Sequence, residues 1–130
     1  MDFLQGLGVS EEPSVQSFSI YIPNLDRDRN PIAGWSDWVR GAIHLLTRIN
    51  GGSTSLPPSQ SGYRRSDGAF ELNDTVVVYS LIRDPDAFEQ RFDEIRAFMS
   101  DFGRRTNQES VMFEFSDGHS AYFLDESEYV

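Results

Sequence analysis

Two arginine pairs, Arg64-Arg65 and Arg104-Arg105, are the residues of this chain best suited by type to hold something charged. A guanidinium is a planar fork of donors that fits a carboxylate or a phosphate, and all eleven basic residues of the 130-residue chain are arginines. Tyr63 precedes the first pair, and Asn107 and Gln108 follow the second. Together Tyr63, Arg64, Arg65, Arg104, Arg105, Asn107 and Gln108 form a candidate ligand set, with an aromatic ring for a base and arginines for a phosphate. Its ligand would be a nucleotide or another anionic small molecule, and Trp35 would join if the fold brought it near. The competing reading, which the spacing favours, has Arg104 and Arg105 offset the negative end of a helix and pair with surface carboxylates. For Asn107-Gln108-Glu109 two readings stay open: fixing the entry to a strand by side-chain hydrogen bonds, or lining a cleft.

The other reactive residue types point to less. His44 and His119 are the two histidines, and each reads as structural, because a metal ligand needs partners held at metal-bond distance. Asp26 with Asp28, and Asp84 with Asp86, offer oxygens to a hard cation but lack EF-hand spacing. A solvated loop accounts for the first pair and helix capping for the second. Gly51-Gly52-Ser53-Thr54 reads as a helix C-cap, since that end of a helix has the wrong dipole for an anion. The absence of cysteine removes disulfides, thiolate nucleophiles and iron-sulfur clusters. The absence of lysine removes Schiff bases and the Walker A phosphate ligand. There is no Gly-x-Ser-x-Gly elbow, and Tyr21, Tyr63 and Tyr79 are donors without evident partners. No catalytic residue, metal or cofactor is assigned.

A net charge of −10 and a pI near 4.4 argue against general binding to nucleic acid or anionic membranes, whose phosphates the field repels. No window approaches the roughly 18 apolar residues of a membrane span, and the start of the chain lacks the pattern of a signal peptide. The expected location is the cytoplasm.

These residues must be positioned by elements the sequence marks clearly. The anchor is 74–103. Thr75 to Ile82 is a β-branched and aromatic strand. Asp84 and Pro85 then mark a helix start, and Phe88, Phe92, Ile95, Met99 and Phe102 share one helical face up to a stop at Gly103. Earlier, residues 1–14 read as a flexible lead-in, with Phe3, Leu4 and Leu7 as docking residues. Val15 to Pro23 alternates as a strand, and Asn24 to Pro31 is a charged loop. Trp35 to Asn50 is an amphipathic helix, with Gly34 or Ser36 at its cap and Gly51-Gly52 beyond its end. Pro57-Pro58 break the stretch 53–65 into an interrupted or edge strand, and Ser66-Asp67-Gly68 is a hairpin turn. Ser110 to Phe115 alternates as a strand, Asp117-Gly118 turns it, and Ala121 to Leu124 closes the sheet. Residues 15–124 form the single domain, followed by an acidic tail, 125–130, that is expected to fray.

The order strand, helix, strand, strand, helix, strand predicts an α+β, ferredoxin-like split βαβ sandwich with two helices on one face of an antiparallel sheet and an extra C-terminal strand. The path from GWSDWVRGAIHLL through NGGSTSLPPSQSGYRRSDG and DTVVVYSLI to FGRRTNQESVMFEF resembles a group of small prokaryotic proteins of unknown function. They share a Gly-Gly-x-Thr segment after the first helix, an Arg-x-x-x-Gly hairpin and an Asn-Gln-Glu-x-Val strand entry. The resemblance covers roughly 17–123 and implies the ferredoxin-like fold, with no activity to carry over.

Three functions are expected in turn. The leading one is a non-enzymatic binding or assembly module that forms a homodimer through the helix-free sheet face, because such a face needs a cover. The second is an enzyme or sensor for an anionic small molecule such as a nucleotide. The third is a defence or counter-defence protein that binds a protein partner.

Overall fold

The computed structural model describes residues 3–9, 16–116 and 120–130. The turn expected at Asp117-Gly118, together with His119, lies outside the described residues, as do parts of the expected lead-in. The element order is α1 (Phe3–Gly6), β1 (Ser17–Pro23), α2 (Trp35–Asn50), β2 (Thr54–Ser55), β3 (Ser59–Arg64), β4 (Phe70–Leu81), α3 (Pro85–Glu89), α4 (Phe92–Arg105), β5 (Ser110–Phe115) and β6 (Ser120–Asp125). A 3-10 turn follows at Glu126–Glu128.

All strand pairs are antiparallel. The six-stranded sheet runs β2-β4-β1-β5-β6, with β3 also on β4. If β2 and β3 are counted as one interrupted strand, this is the strand order of the expected ferredoxin-like sandwich, extended by β6. Pro57-Pro58 make the interruption, because neither can donate an amide hydrogen to β4.

Period-two alternation divides each strand between two faces. Phe18, Ile20 and Ile22 of β1, Val76 and Val78 of β4, and Val111 of β5 are buried against Ala42, Leu45 and Leu46 of α2 and Ile95, Met99 and Phe102 of α4. Trp38 of α2 meets Phe102 edge-on at 5.3 Å. Trp35 donates its indole N–H to the Ile22 carbonyl at 3.1 Å. That bond fixes Trp35 in the helix-to-sheet layer and not beside Tyr63.

Local signals set most boundaries. Gly34 (φ 71°) opens α2, and Gly51 (φ 88°) closes it with its amide on the Thr47 carbonyl. The left-handed conformation at Gly51 is one that a Cβ would oppose. The Asp84 carboxylate accepts from the Ala87 amide at 3.1 Å, with Pro85 as the first helical residue. The hairpin turn closes through Arg65 N–H to the Ala69 carbonyl at 2.8 Å.

Two expectations about the second helix are corrected. It is two helices, broken at Gln90-Arg91. The break lets Phe88 turn into the sheet beside Phe18 and Phe115, and Phe92 is left 50% exposed. Nor does the second segment stop at Gly103; it runs to Arg105 and ends where Thr106 Oγ1 donates back to the Phe102 carbonyl and Asn107 turns left-handed (φ 56°). Gly103 has another role, because the Tyr129 ring lies against it where any Cβ would collide. Residues 125–130, expected to fray, are tied back to α4: Arg96 donates to the Glu128 carbonyl at 2.9 Å and the Val130 amide donates to Ser100 Oγ at 3.0 Å. No described helix is long and apolar enough to cross a membrane.

Candidate functional site

β4 is twelve residues long, and its length makes the site. Only Thr75–Leu81 pairs with β1, while Phe70–Thr75 pairs with β3. The segment 70–74 therefore runs past the end of β1, and the space beside it is filled by two loops. The first, 24–31, is closed by the Leu25–Pro31 bridge and by Asp26 Oδ1, which accepts from the amides of Asp28 and Asn30. Partial burial raises the Asp26 pKa, but the hydrogen bonds from Asn30, Asp28 and Asn107 outweigh it and hold the carboxyl below its ordinary value. The second loop, 106–109, meets the first through Arg27 N–H to the Asn107 carbonyl at 3.1 Å.

Between the loops and the helix-free face of the sheet lies a cleft of about 230 Å³. β1 gives it Tyr21 and Pro23, β4 gives Glu71, Asn73 and Thr75, and β3 gives Ser61 and Gly62. Ser110 and Met112 come from β5, Phe123 from β6, and Arg27, Gln108 and Glu109 from the loops. Every strand residue in the set except Gly62 has the alternation phase opposite to that of the core, so the same strands build both faces. The cleft has two ends. Phe123, 56% exposed and paired across from Met112, makes an apolar shelf with Tyr21. Glu71, Asn73, Arg27 and Glu109 make a polar end.

Glu71 dominates the electrostatics. It is only 4% exposed, and among the described residues it makes no ion pair within 4 Å. Burial pushes its carboxyl above the ordinary value; Arg65 and Arg29 pull against this, and Asp26 and Glu109 add to it. The Arg27 guanidinium donates to the Gln108 carbonyl at 2.9 Å and pairs with Glu126. Arg27 Nε and Asn73 Oδ1 are buried without a partner among the described residues, so the polar end holds one unused donor and one unused acceptor. No group of three or more histidines and acids spaced to hold a metal occurs among the described residues.

Of the seven residues singled out from the sequence, Gln108 lines the cleft, and its side-chain amide donates to the carbonyls of Leu25 and Thr106. Arg104, Asn107 and Gln108 share a shallower depression behind it with Tyr129 and Glu126. Asn107 donates to Asp28 at 2.9 Å, so strand entry and cleft lining both describe this loop. Arg104 donates to the Val130 carbonyl. Arg105 pairs with Asp101 at 3.4 Å and lies 5.4 Å over the Trp38 ring. Arg64 is exposed at the end of β3, and Arg65 pairs with Asp67 at 3.4 Å. The Tyr63 backbone pairs with Glu71, and its side chain lies outside the described part. Sequence reasoning missed Glu71, Asn73, Arg27 and Phe123, while Glu109 lies in the segment for which cleft lining was one of two open readings. The signal for the first two was the polar phase of the alternating run 70–75.

No protein-family model and no curated protein matches the chain in sequence. Two solved structures match it in fold. One is a phage SAM lyase in complex with S-methyl-5′-thioadenosine, with a TM-score of 0.67, 16% identity, and 93% of this chain and 97% of that chain covered. The other is a phage SAM lyase in the apo state, with a TM-score of 0.63, 16% identity, and coverage of 90% and 95%. This corrects the leading functional expectation of a non-enzymatic module that dimerises through its sheet. The structures that share the fold almost end to end are of an enzyme, and the helix-free face expected to meet a second copy holds a cleft lined by the buried Glu71.

Proposed function

We propose that this protein binds S-adenosylmethionine in the helix-free cleft and cleaves it as a lyase, releasing S-methyl-5′-thioadenosine. The observation that carries the reading is a buried Glu71, without an ion pair among the described residues, facing the same cleft as Glu109, in a fold shared with a phage SAM lyase. The substrate has two cationic centres, a sulfonium and an ammonium, and the cleft has two carboxylates to meet them. Arg27 suits the substrate carboxylate, and the Phe123–Met112–Tyr21 shelf suits the flat purine. This reading keeps the nucleoside half of the nucleotide expectation and replaces its anionic half with a cationic one.

In the reaction the bond from sulfur to the amino-acid chain breaks with its electron pair going to sulfur, which becomes a neutral thioether. A lyase uses no water, so in the proposed step the carbon that loses sulfur takes an oxygen of the substrate's own carboxylate, closing a lactone as the carbon–sulfur bond breaks. The part left to the protein is to hold the reacting centres in line and to supply fixed charge in a site of low water content.

Incubation with S-adenosylmethionine, followed by chromatography, should show S-methyl-5′-thioadenosine accumulating. Glu71→Gln, which keeps the shape and removes the charge, should slow release by about tenfold or more, equivalent to ~1.4 kcal/mol. If the wild-type protein neither releases nor binds the thioadenosine at millimolar concentration, the reading is wrong.

A further inference from the structure

The polar end of the cleft is held from behind by the last residues of the chain. Three bonds make the connection. The Tyr129 hydroxyl donates to the Gln108 carbonyl at 2.8 Å, the Arg27 guanidinium donates to that same carbonyl, and Glu126 pairs with Arg27. A fourth bond, from the Glu126 amide to the Glu109 carbonyl at 3.0 Å, ties the backbone of the next cleft residue to the same turn. The segment can bear on these groups because it is itself fixed to α4, through Arg96, Arg104, Ser100 and the Tyr129 ring seated on Gly103. Burial pushes the Tyr129 hydroxyl up to about 12, so it remains a proton donor at physiological pH.

We infer that Glu126 and Tyr129 are positioning residues, which set the place of Arg27 and of the Gln108–Glu109 backbone in the cleft and thereby its affinity for ligand. The affinity part rests on the lyase reading of the cleft, whereas the positioning part rests on the geometry alone. A merely structural tail would add to stability without tuning the cleft. The arrangement observed is more specific, because both residues converge on one carbonyl and one guanidinium that line the site.

The test uses two mild variants of the full chain. Tyr129→Phe keeps the ring on Gly103 and removes one hydroxyl, and Glu126→Gln removes the charge facing Arg27. Amide hydrogen exchange at 107–109, thermal midpoint and calorimetric affinity for S-adenosylhomocysteine, a neutral thioether that keeps the carboxylate Arg27 would meet, are measured for each. Exchange at Gln108, whose amide donates to the Gly103 carbonyl at 2.8 Å, should quicken. Affinity for S-adenosylhomocysteine should fall about three- to tenfold, the worth of one hydrogen bond, with the midpoint nearly unmoved. Wild-type exchange together with wild-type affinity in both variants overturns the inference, and so does a fall in affinity that follows only a fall in midpoint. If the wild-type protein binds neither S-adenosylhomocysteine nor the thioadenosine, the lyase reading fails, and the exchange rates alone decide the positioning role: faster exchange upholds it and unchanged exchange ends it.

Discussion

The two faces of the sheet are made from the same strands and obey opposite rules. On the covered face, Ile20, Ile22 and Val78 are buried in the apolar cluster beneath α2 and α4. On the open face, one residue further along the same strands, stand Tyr21, Pro23, Thr75, Asn73 and Glu71. The covered face removes apolar area from water, which is the main source of stability. The open face keeps a carboxylate nearly dry with no ion pair among the described residues, which costs stability and suits a site that waits for an opposite charge. A period of two thus separates what folds the protein from what it can act with.

The comparison breaks if either face behaves like the other. The largest effect is expected from Phe102→Ala, which empties a fully buried position under Trp38 and should cost about 3–5 kcal/mol in urea unfolding. A cost below about 1 kcal/mol would mean that the core is not where we place it. Glu71→Gln should move the other way: stability near neutral pH should hold or rise while affinity for the sulfonium substrate, S-adenosylmethionine, falls about tenfold, ~1.4 kcal/mol.

The pH dependence follows from the raised Glu71 pKa. The folded chain keeps a proton that the unfolded chain has already released, so stability falls as pH rises from the ordinary glutamate value through the raised one. Across the same window Glu71 becomes charged, and affinity for S-adenosylmethionine should climb. Both slopes should flatten in Glu71→Gln, and a wild-type slope persisting in the variant would assign them to another group. A smaller effect is expected at the edge of the covered layer: Gly51→Ala forces a Cβ into left-handed backbone (φ 88°) and should cost about 1 kcal/mol in thermal unfolding. The smallest belongs to neither face. Arg48→Gln removes an exposed pair with Glu94 and should change stability by about 0.5 kcal/mol or less.

The elements with local causes were legible in the sequence. α2 and β5 fall on their expected residues because amphipathic and alternating periods are properties of a short window. The Asp84-Pro85 start and the Arg65–Ala69 turn were legible for the same reason. What could not be read depends on distant residues. Gly103 carries the mark of a helix stop, and only the return of Tyr129 from further along the chain shows that the missing Cβ serves packing instead. The break at Gln90-Arg91 answers to Phe18 and Phe115 on two strands. The cleft exists because β4 overruns β1, a fact of register and not of any window. Glu71 stood in plain view in an alternating strand, but the default for that polar phase is solvent, and its burial by the Arg27 and Gln108 loops is a tertiary event.

The Pro57-Pro58 interruption between β2 and β3 has one more result, for the behaviour of many copies together. β2 and β3 form one outer edge of the sheet, and an open edge is where another chain can add a strand and start an aggregate. Two adjacent residues without amide hydrogens, at the middle of that edge, deny an incoming strand a continuous ladder. The protein thus carries at its border a built-in resistance to fibrous self-association, and replacing both prolines should shorten the time it stays clear in concentrated solution.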